Sequence, residues 1–373
     1  MTKKCIFSVL TVVAWACFAS LFYKTIMLML LFLVWKKQIF EWLPLWAKKY
    51  GMKPYWVCFL LCLWIAIPRY RIDSSDRVRL VYLDDEGNAK HPPLAQYLLN
   101  TFLPEEEIMN FGIHNVPLAK YMGIGSSLIR QANDDIANGK IRNFYYAYDN
   151  LGWENPMSGA YVQAFNDFLG GNGKAVYICN PKGDENVKWS KDNGFKYPLV
   201  VFCHGYLGNW QLYQGVWKDL NNCIVLSIGT RGMDGIFGQR DINEIFSFYI
   251  PALKRMGYHI DEQQIHLMGL SNGGSAIVAA MHSPHAKDFK SITTVSCNLG
   301  GLKKVPCQVN LIGGDKDNSS RLMPSQAAKL SKMGVNVGLF FKPEENHFVM
   351  VNRRSEMIEF LKNRMNLKCV REE

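Results

Sequence analysis

Gly269-Leu270-Ser271-Asn272-Gly273-Gly274 carries the clearest chemical signature in this chain. A serine hydroxyl is a poor nucleophile until a base takes its proton and a sharp turn holds it clear of the backbone. Flanking glycines let the chain make such a turn without clashes. Further on come an acid, Asp315 or Asp317 in Gly313-Gly314-Asp315-Lys316-Asp317-Asn318, and a histidine, His347 in Glu344-Glu345-Asn346-His347-Phe348. Together these residue types can attack a carbonyl carbon. The histidine is the base, and the carboxylate fixes its tautomer and steadies its cation. The remaining need is backbone N–H groups for the oxyanion. His204-Gly205-Tyr206-Leu207-Gly208 offers a place for one donor, and Asn272 follows the serine as the second.

Each residue also has a plainer use. Serine is a favoured helix N-cap, and a late histidine can be a surface loop residue. The elements that position them decide between these uses. From about residue 174 the chain alternates between apolar runs and helical patterns. Strands are predicted at 197–203, 223–228, 264–268, 291–296, 307–312 and 336–341. Helices are predicted at 210–220, 242–257, 273–282, 324–333 and 354–365, with a Gly-rich loop at 229–241. Continuously apolar strands separated by helices mean a parallel sheet covered on both faces. Sites in such sheets form at the carboxyl ends of the strands. Ser271 follows the 264–268 strand, the two aspartates follow 307–312, and His347 follows the last strand.

In this context the motifs resemble those of the serine α/β-hydrolases. The Gly-Leu-Ser-Asn-Gly-Gly form and the Pro198-Leu199-Val200-Val201-Phe202-Cys203-His204-Gly205 strand are similar to polyhydroxybutyrate depolymerases, feruloyl esterases and dienelactone hydrolases. The resemblance spans roughly residues 174–365. It implies an α/β-hydrolase fold with Ser271 as nucleophile and His347 as base. Gly314 followed three residues on by Asp317 matches the family's acid motif, so Asp317 is preferred over Asp315. Tyr206 and Asn272 would supply the oxyanion N–H groups, and His204 would be structural. The implied activity is hydrolysis of small-molecule or lipid carboxylic esters, with no cofactor and no metal. A peptidase, an acyltransferase or a non-catalytic binding protein on the same fold is the alternative.

The region after the 291–296 strand, where a lid is commonly inserted in this family, is nearly empty here. Residues 72–173 instead form an extension before the core, with helices expected near 94–103 and 117–138. Either this extension or the 229–241 loop is expected to cover the pocket, unless the extension packs elsewhere. Tyr206, Trp210, Tyr213 and Phe237 could line a pocket, with core packing the preferred reading of each. Arg231 and Asp234 could brace the site loop. His259, His266, His282 and His285 read as surface or helix-end residues.

The net charge is +10, and nine of those charges fall in residues 1–71, where ten Lys or Arg stand against the single acid Glu41. The rest of the chain is close to neutral, which argues against a nucleic-acid-binding face. Residues 6–35 and 55–67 are apolar runs, and the first is long enough to span a ~30 Å hydrocarbon core. Basic residues beside apolar helices suit anionic headgroups, at about 1 kcal/mol each. A membrane anchor is therefore expected over 1–71, with a cleaved signal peptide as the rival reading. The chain has ten cysteines. They are read as reduced core thiols, with a Cys297–Cys307 disulfide as the alternative.

Overall fold

A computed structural model of the chain describes residues 77–90, 105–121, 127–149, 174–184 and 194–371, apart from 207, 231–233, 301, 303 and 304. It also describes residues 8, 151, 158–160, 163, 187 and 188. The apolar runs at 6–35 and 55–67, and the helix expected near 94–103, lie outside the described residues, Ser8 apart. Among the described residues no helix is long and apolar enough to cross a membrane. The chain divides into two compact units, one of 1–71 with 98–133 and the other of 72–97 with 134–373.

In the smaller unit, helix α1 (Glu105–Tyr121) contains Pro117. Helix α2 (Ser127–Ala137) begins in this unit, where Asn133 Nδ2 donates to the Val116 carbonyl at 3.4 Å.

The larger unit is built on one sheet. Its main strands are β1 (Val78–Leu83), β2 (Lys174–Cys179), β3 (Phe195–Cys203), β4 (Ile224–Ile228), β5 (Ile260–Leu270), β6 (Ser291–Val295), β7 (Gln308–Gly314) and β8 (Val337–Lys342). Their order is β8-β7-β6-β5-β3-β4-β2-β1. Strand β2 runs antiparallel to both of its neighbours, β1 and β4. The pairs from β4 through to β8 are parallel. This is the mostly parallel sheet that the continuous apolar runs imply. Val78–Leu83, in the extension expected at 72–173, forms a strand of this sheet. Its partner β2 lies almost a hundred residues away, so no local pattern announces the pairing.

The helices follow the strands. Helix α3 (Arg142–Asp149) precedes β2, and α4 (Gln211–Trp217) links β3 to β4. After β4, α5 comprises Gln239–Glu244, a π-turn at Ile245–Tyr249, and Ile250–Arg255. Pro251 has no N–H for the helical ladder and its ring crowds the preceding turn, so the widening falls just before it. Helix α6 (Gly274–Met281) follows β5, α7 (Met323–Lys332) joins β7 to β8, and α8 (Arg354–Met365) ends the core.

Alternation along β3 sorts the two faces. Leu199, Val201 and Cys203 join a core with Ile242, Leu253, Ala276, Ile277 and Leu330 of α5, α6 and α7. Phe202 points the other way, with its ring 5.0 Å from Trp217 and 5.3 Å from Tyr213 of α4. Gly215 of α4 sits against the backbone of Ala147 in α3, where a Cβ would collide with the carbonyl. Apolar residues therefore cover the sheet on both sides.

The described cysteines, Cys179, Cys203, Cys223, Cys297, Cys307 and Cys369, are free thiols. Burial pushes Cys297 up to about 12 and Cys307 to about 11. His266 is fully buried in β5, with Nδ1 2.8 Å from Ser291 Oγ. The surface role expected for it is wrong: β5 carries four polar residues, Asp261–Gln264, just before it, and the sequence does not show that burial begins at Ile265.

Burial holds His204 at about 4 and His266 at about 3. Both values lie below the ~6.5 of an unfolded histidine. As pH falls through ~6.5 the unfolded chain takes up protons that the folded one refuses, so stability is complete above this pH and lost below it. The expected loss is about 1.4 kcal/mol per pH unit for each histidine. Urea midpoints at pH 7 and pH 5 check this, and equal midpoints would refute it.

Candidate active site

The register of the sheet aligns the strand ends. Cys203 pairs with Gly269, Leu270 with Val295, Ile312 with Val295, and Gly314 with Lys342. The residues that follow therefore emerge along one edge: Gly205 and Tyr206 after β3, Ser271 after β5, Ser296 after β6, Asp315 and Asp317 after β7, and His347 after β8.

Ser271 has φ +52°, a left-handed conformation that costs a non-glycine residue roughly 1 kcal/mol or more. Packing imposes it. Gly273 lies against the Cys203 and His204 carbonyls, and Gly269 against the Gly273 carbonyl, so a Cβ at either position would overlap backbone. Gly205 is nearly as close, since a Cβ there would stand 3.1 Å from Ser271 Cβ. Both glycines of the Gly-x-Ser-x-Gly segment are thus required by close approach of backbone to backbone. A 3-10 turn at Ser271–Gly273 leads directly into α6, whose N-terminal dipole end favours negative charge.

His347 stands between the serine and the acid. Its Nε2 is 2.9 Å from Ser271 Oγ, and its Nδ1 is 3.2 Å from Asp317 Oδ2. With Nδ1 donating to the carboxylate, Nε2 is left to accept the serine proton. Asp317 is buried and receives two further donors, the Ser319 N–H at 3.0 Å on Oδ1 and the Ser320 hydroxyl at 3.0 Å on Oδ2. Burial pushes its carboxyl up, but the bond to His347, the imidazole charge and these two donors outweigh burial. The net effect holds Asp317 below the ordinary carboxylate range. It stays an anion, as a partner for imidazolium must.

Asp315 has a different partner. Its Oδ1 accepts the Glu344 N–H at 2.8 Å, and the Lys316 N–H donates to the Glu345 carbonyl at 3.0 Å. Both bonds tie the acid loop to the histidine loop. Glu344 itself has φ +57°. Gly314 allows the approach, because a Cβ there would strike the Glu345 backbone.

The oxyanion candidates follow two paired strands, Tyr206 after β3 and Asn272 after β5. Asn272 follows Ser271 directly, and its side chain donates to the Asp234 carbonyl at 2.9 Å. Tyr206 follows Gly205, beside the serine, with its side chain 61% exposed. His204 has both ring nitrogens engaged. Its Nδ1 lies 2.6 Å from the Gly205 carbonyl, and its Nε2 accepts the Thr230 N–H at 3.2 Å. A buried neutral ring used at both ends is a brace, not a base. Of the possible pocket residues, Tyr213 and Phe237 are core residues and Trp210 is half-buried. Arg231 lies outside the described residues, while Asp234 turns the loop by accepting the Ile236 N–H at 2.9 Å.

Three serines matter here without a sequence signature of their own. Ser296, buried at φ +52°, donates to the His347 carbonyl at 2.8 Å. Ser320 holds Asp317, and Ser275 Oγ accepts the Phe237 N–H at 2.8 Å, which anchors the 234–238 loop to α6. A serine at a strand end is an ordinary turn residue, so only the folded contacts distinguish them. Among the described residues no cluster of His, Cys, Asp or Glu could hold a metal ion.

No protein-family model matches the chain, and no curated protein does. Solved structures similar to it include a thermostable esterase, at 19% identity and TM-score 0.42 over 53% of this chain and 60% of that one. An arylesterase is similar at 14% identity and TM-score 0.41, over 52% of this chain and 81% of that one. The acylaminoacyl peptidase of Pyrococcus horikoshii is similar at 16% identity and TM-score 0.38, over 54% of this chain and 41% of that one. Likenesses this distant leave the chemistry to rest on the side chains themselves.

Asp317→Asn is expected to slow the reaction of Ser271 with a fluorophosphonate by roughly 10³-fold or more, because the wrong tautomer of His347 is then favoured. Asp315→Asn should stay within roughly tenfold of wild type, since it only loosens a loop. Comparing the two labelling rates assigns the acid, and a reversed order would make Asp315 the partner.

Proposed function

We propose that this chain is a serine hydrolase that cleaves carboxylic esters through an acyl-enzyme intermediate. The observation that carries the reading is His347 bridging Ser271 Oγ at 2.9 Å and Asp317 Oδ2 at 3.2 Å. Ser271 attacks the ester carbonyl carbon as its proton passes to His347 Nε2. The anionic oxygen is met by the backbone N–H groups of Tyr206 and Asn272. Asp317 steadies the imidazolium, which then gives its proton to the departing alcohol. Water, deprotonated by His347, attacks the acyl-enzyme and releases the acid and Ser271. No cofactor enters this route.

A silent binding protein on this fold is the competing class. The strained backbone at Ser271 disfavours it. Such strain persists where the surroundings enforce it, and it clusters at working sites.

The membrane-anchor reading of 1–71 belongs with this proposal. It is supported by the two apolar runs and by the nine net positive charges gathered beside them. A lipid or acylglycerol ester would suit an enzyme held there, with a small soluble ester as the alternative.

A fluorophosphonate applied to the full chain is expected to label wild type and to leave Ser271→Ala unlabelled. Unlabelled but folded wild type would favour the binding-protein reading. The anchor is checked on the same material by alkaline carbonate washing. The chain should stay with the membrane pellet, and its release would refute integral insertion.

A further inference from the structure

The loop that carries His347 is bound to a charged network in which buried side chains predominate, and nothing in the serine chemistry calls for it. Glu345 and Asp135, 1% and 2% exposed, are among the most buried carboxylates of the larger unit. Asp135 lies on α2 and Glu345 two residues before His347. Lys140 Nζ reaches both, 3.1 Å from Glu345 Oε2 and 4.0 Å from Asp135 Oδ1. Arg353 Nε donates to Glu345 Oε1 at 2.7 Å. The amide of Asn346, next to His347, donates to Asp135 Oδ1 at 2.8 Å. Asn352 Nδ2 lies 3.1 Å from Asp135 Oδ2 and 3.2 Å from Glu345 Oε2. Lys140 also donates to the Glu344 carbonyl at 3.2 Å. Two anions are thus matched by two cations and two amides, all within or facing residues 344–353.

Desolvation of two carboxylates this close together is costly unless they are paired and hydrogen-bonded. Replacing a buried ion-pair network by apolar residues often leaves stability unchanged or raises it, so the network is better explained by what it fixes than by stability. It holds the side of the loop away from the acid loop, which Asp315, Lys316 and Ser296 already tie down. Glu344 is in a left-handed conformation, and β8 has already ended at Lys342. Phe144 of α3 adds an edge-on contact to Phe348 at 5.4 Å between ring centres. One side of the His347 loop is therefore held by residues 134–149, far upstream in the sequence.

We propose that Asp135, Lys140 and Glu345 are positioning residues, which hold the histidine loop at the distance from Ser271 that proton transfer requires. The segment 134–149 is on this account a structural part of the catalytic apparatus. The inference rests on the serine-hydrolase reading above. A shift of about 1 Å in a catalytic group can cost on the order of 100-fold in rate. Binding of the probe before reaction is expected to change little.

The test follows inactivation of the full chain by a fluorophosphonate as its concentration is varied. This separates the maximal rate from the half-saturating concentration. In Asp135→Asn and Lys140→Met the maximal rate should fall roughly 10- to 100-fold, with half-saturation unchanged within about twofold. Lys140→Arg, which keeps the charge, should recover most of the rate. Lys140 is partly exposed, so Lys140→Met remains usable if Asp135→Asn does not fold. Folded variants that react at the wild-type rate, or Lys140→Met and Lys140→Arg alike in rate, would overturn the positioning role and leave the serine-hydrolase reading intact. A wild-type protein that never reacts would overturn both.

Discussion

The end of β5 against the end of β3 is the contact on which the site depends. Gly273 can lie on the Cys203 and His204 carbonyls only because neither glycine of the turn has a side chain. That approach bends the chain after Leu270 so sharply that Ser271 is forced to φ +52°. The strain is offset by the parallel pairing of β3 with β5 and by the apolar residues that bury both strands. His204 helps to hold the same corner. Its neutral ring ties the Gly205 carbonyl to the Thr230 N–H, and Gly235 packs on Gly205 so closely that a Cβ would come within 2.5 Å of the Gly205 carbonyl. A charged imidazole could not accept from Thr230, so burial and function of this histidine are one constraint.

His347 is controlled in a different way. The serine is placed by backbone packing, whereas the histidine is placed by polar contacts converging from several elements. Ser296 holds its carbonyl, Asp317 its Nδ1, Asp315 and Lys316 tie its loop to the acid loop, and the Asp135–Glu345 network holds the far side. Polar contacts are directional, and they suit a group whose orientation matters to a fraction of an ångström. Asp317 illustrates the electrostatic balance. Burial pushes its carboxyl up, and three donors more than offset that.

The parallel strands and their order of appearance were legible because each is a continuous apolar run with turn residues after it. Ser271 and His347 were legible because chemistry demands particular residue types at strand ends. Strand β1 was not, since Val78–Leu83 pairs with a strand nearly a hundred residues later. The burial of His266 is not legible, because β5 passes from exposed polar residues to a buried stretch within a few positions and nothing local reveals that Ser291 will meet the ring. The residues expected at 117–138 resolve into parts of two helices, α1 and α2, and a third follows at Arg142–Asp149.

The sequence by itself determined the class of fold, the Gly-x-Ser-x-Gly turn after one strand, the histidine after another and a choice of two acids. Periodicity and the types of residue near a strand end are local properties, and local properties can be read along a line. Tertiary structure alone decided that Asp317 faces His347 while Asp315 secures the neighbouring loop. It alone recruited Ser296, Ser320 and the 134–149 segment to the site. Those choices depend on which carbonyl, amide or carboxylate comes within about 3 Å once the strands are in register, and chain separation carries no record of that distance.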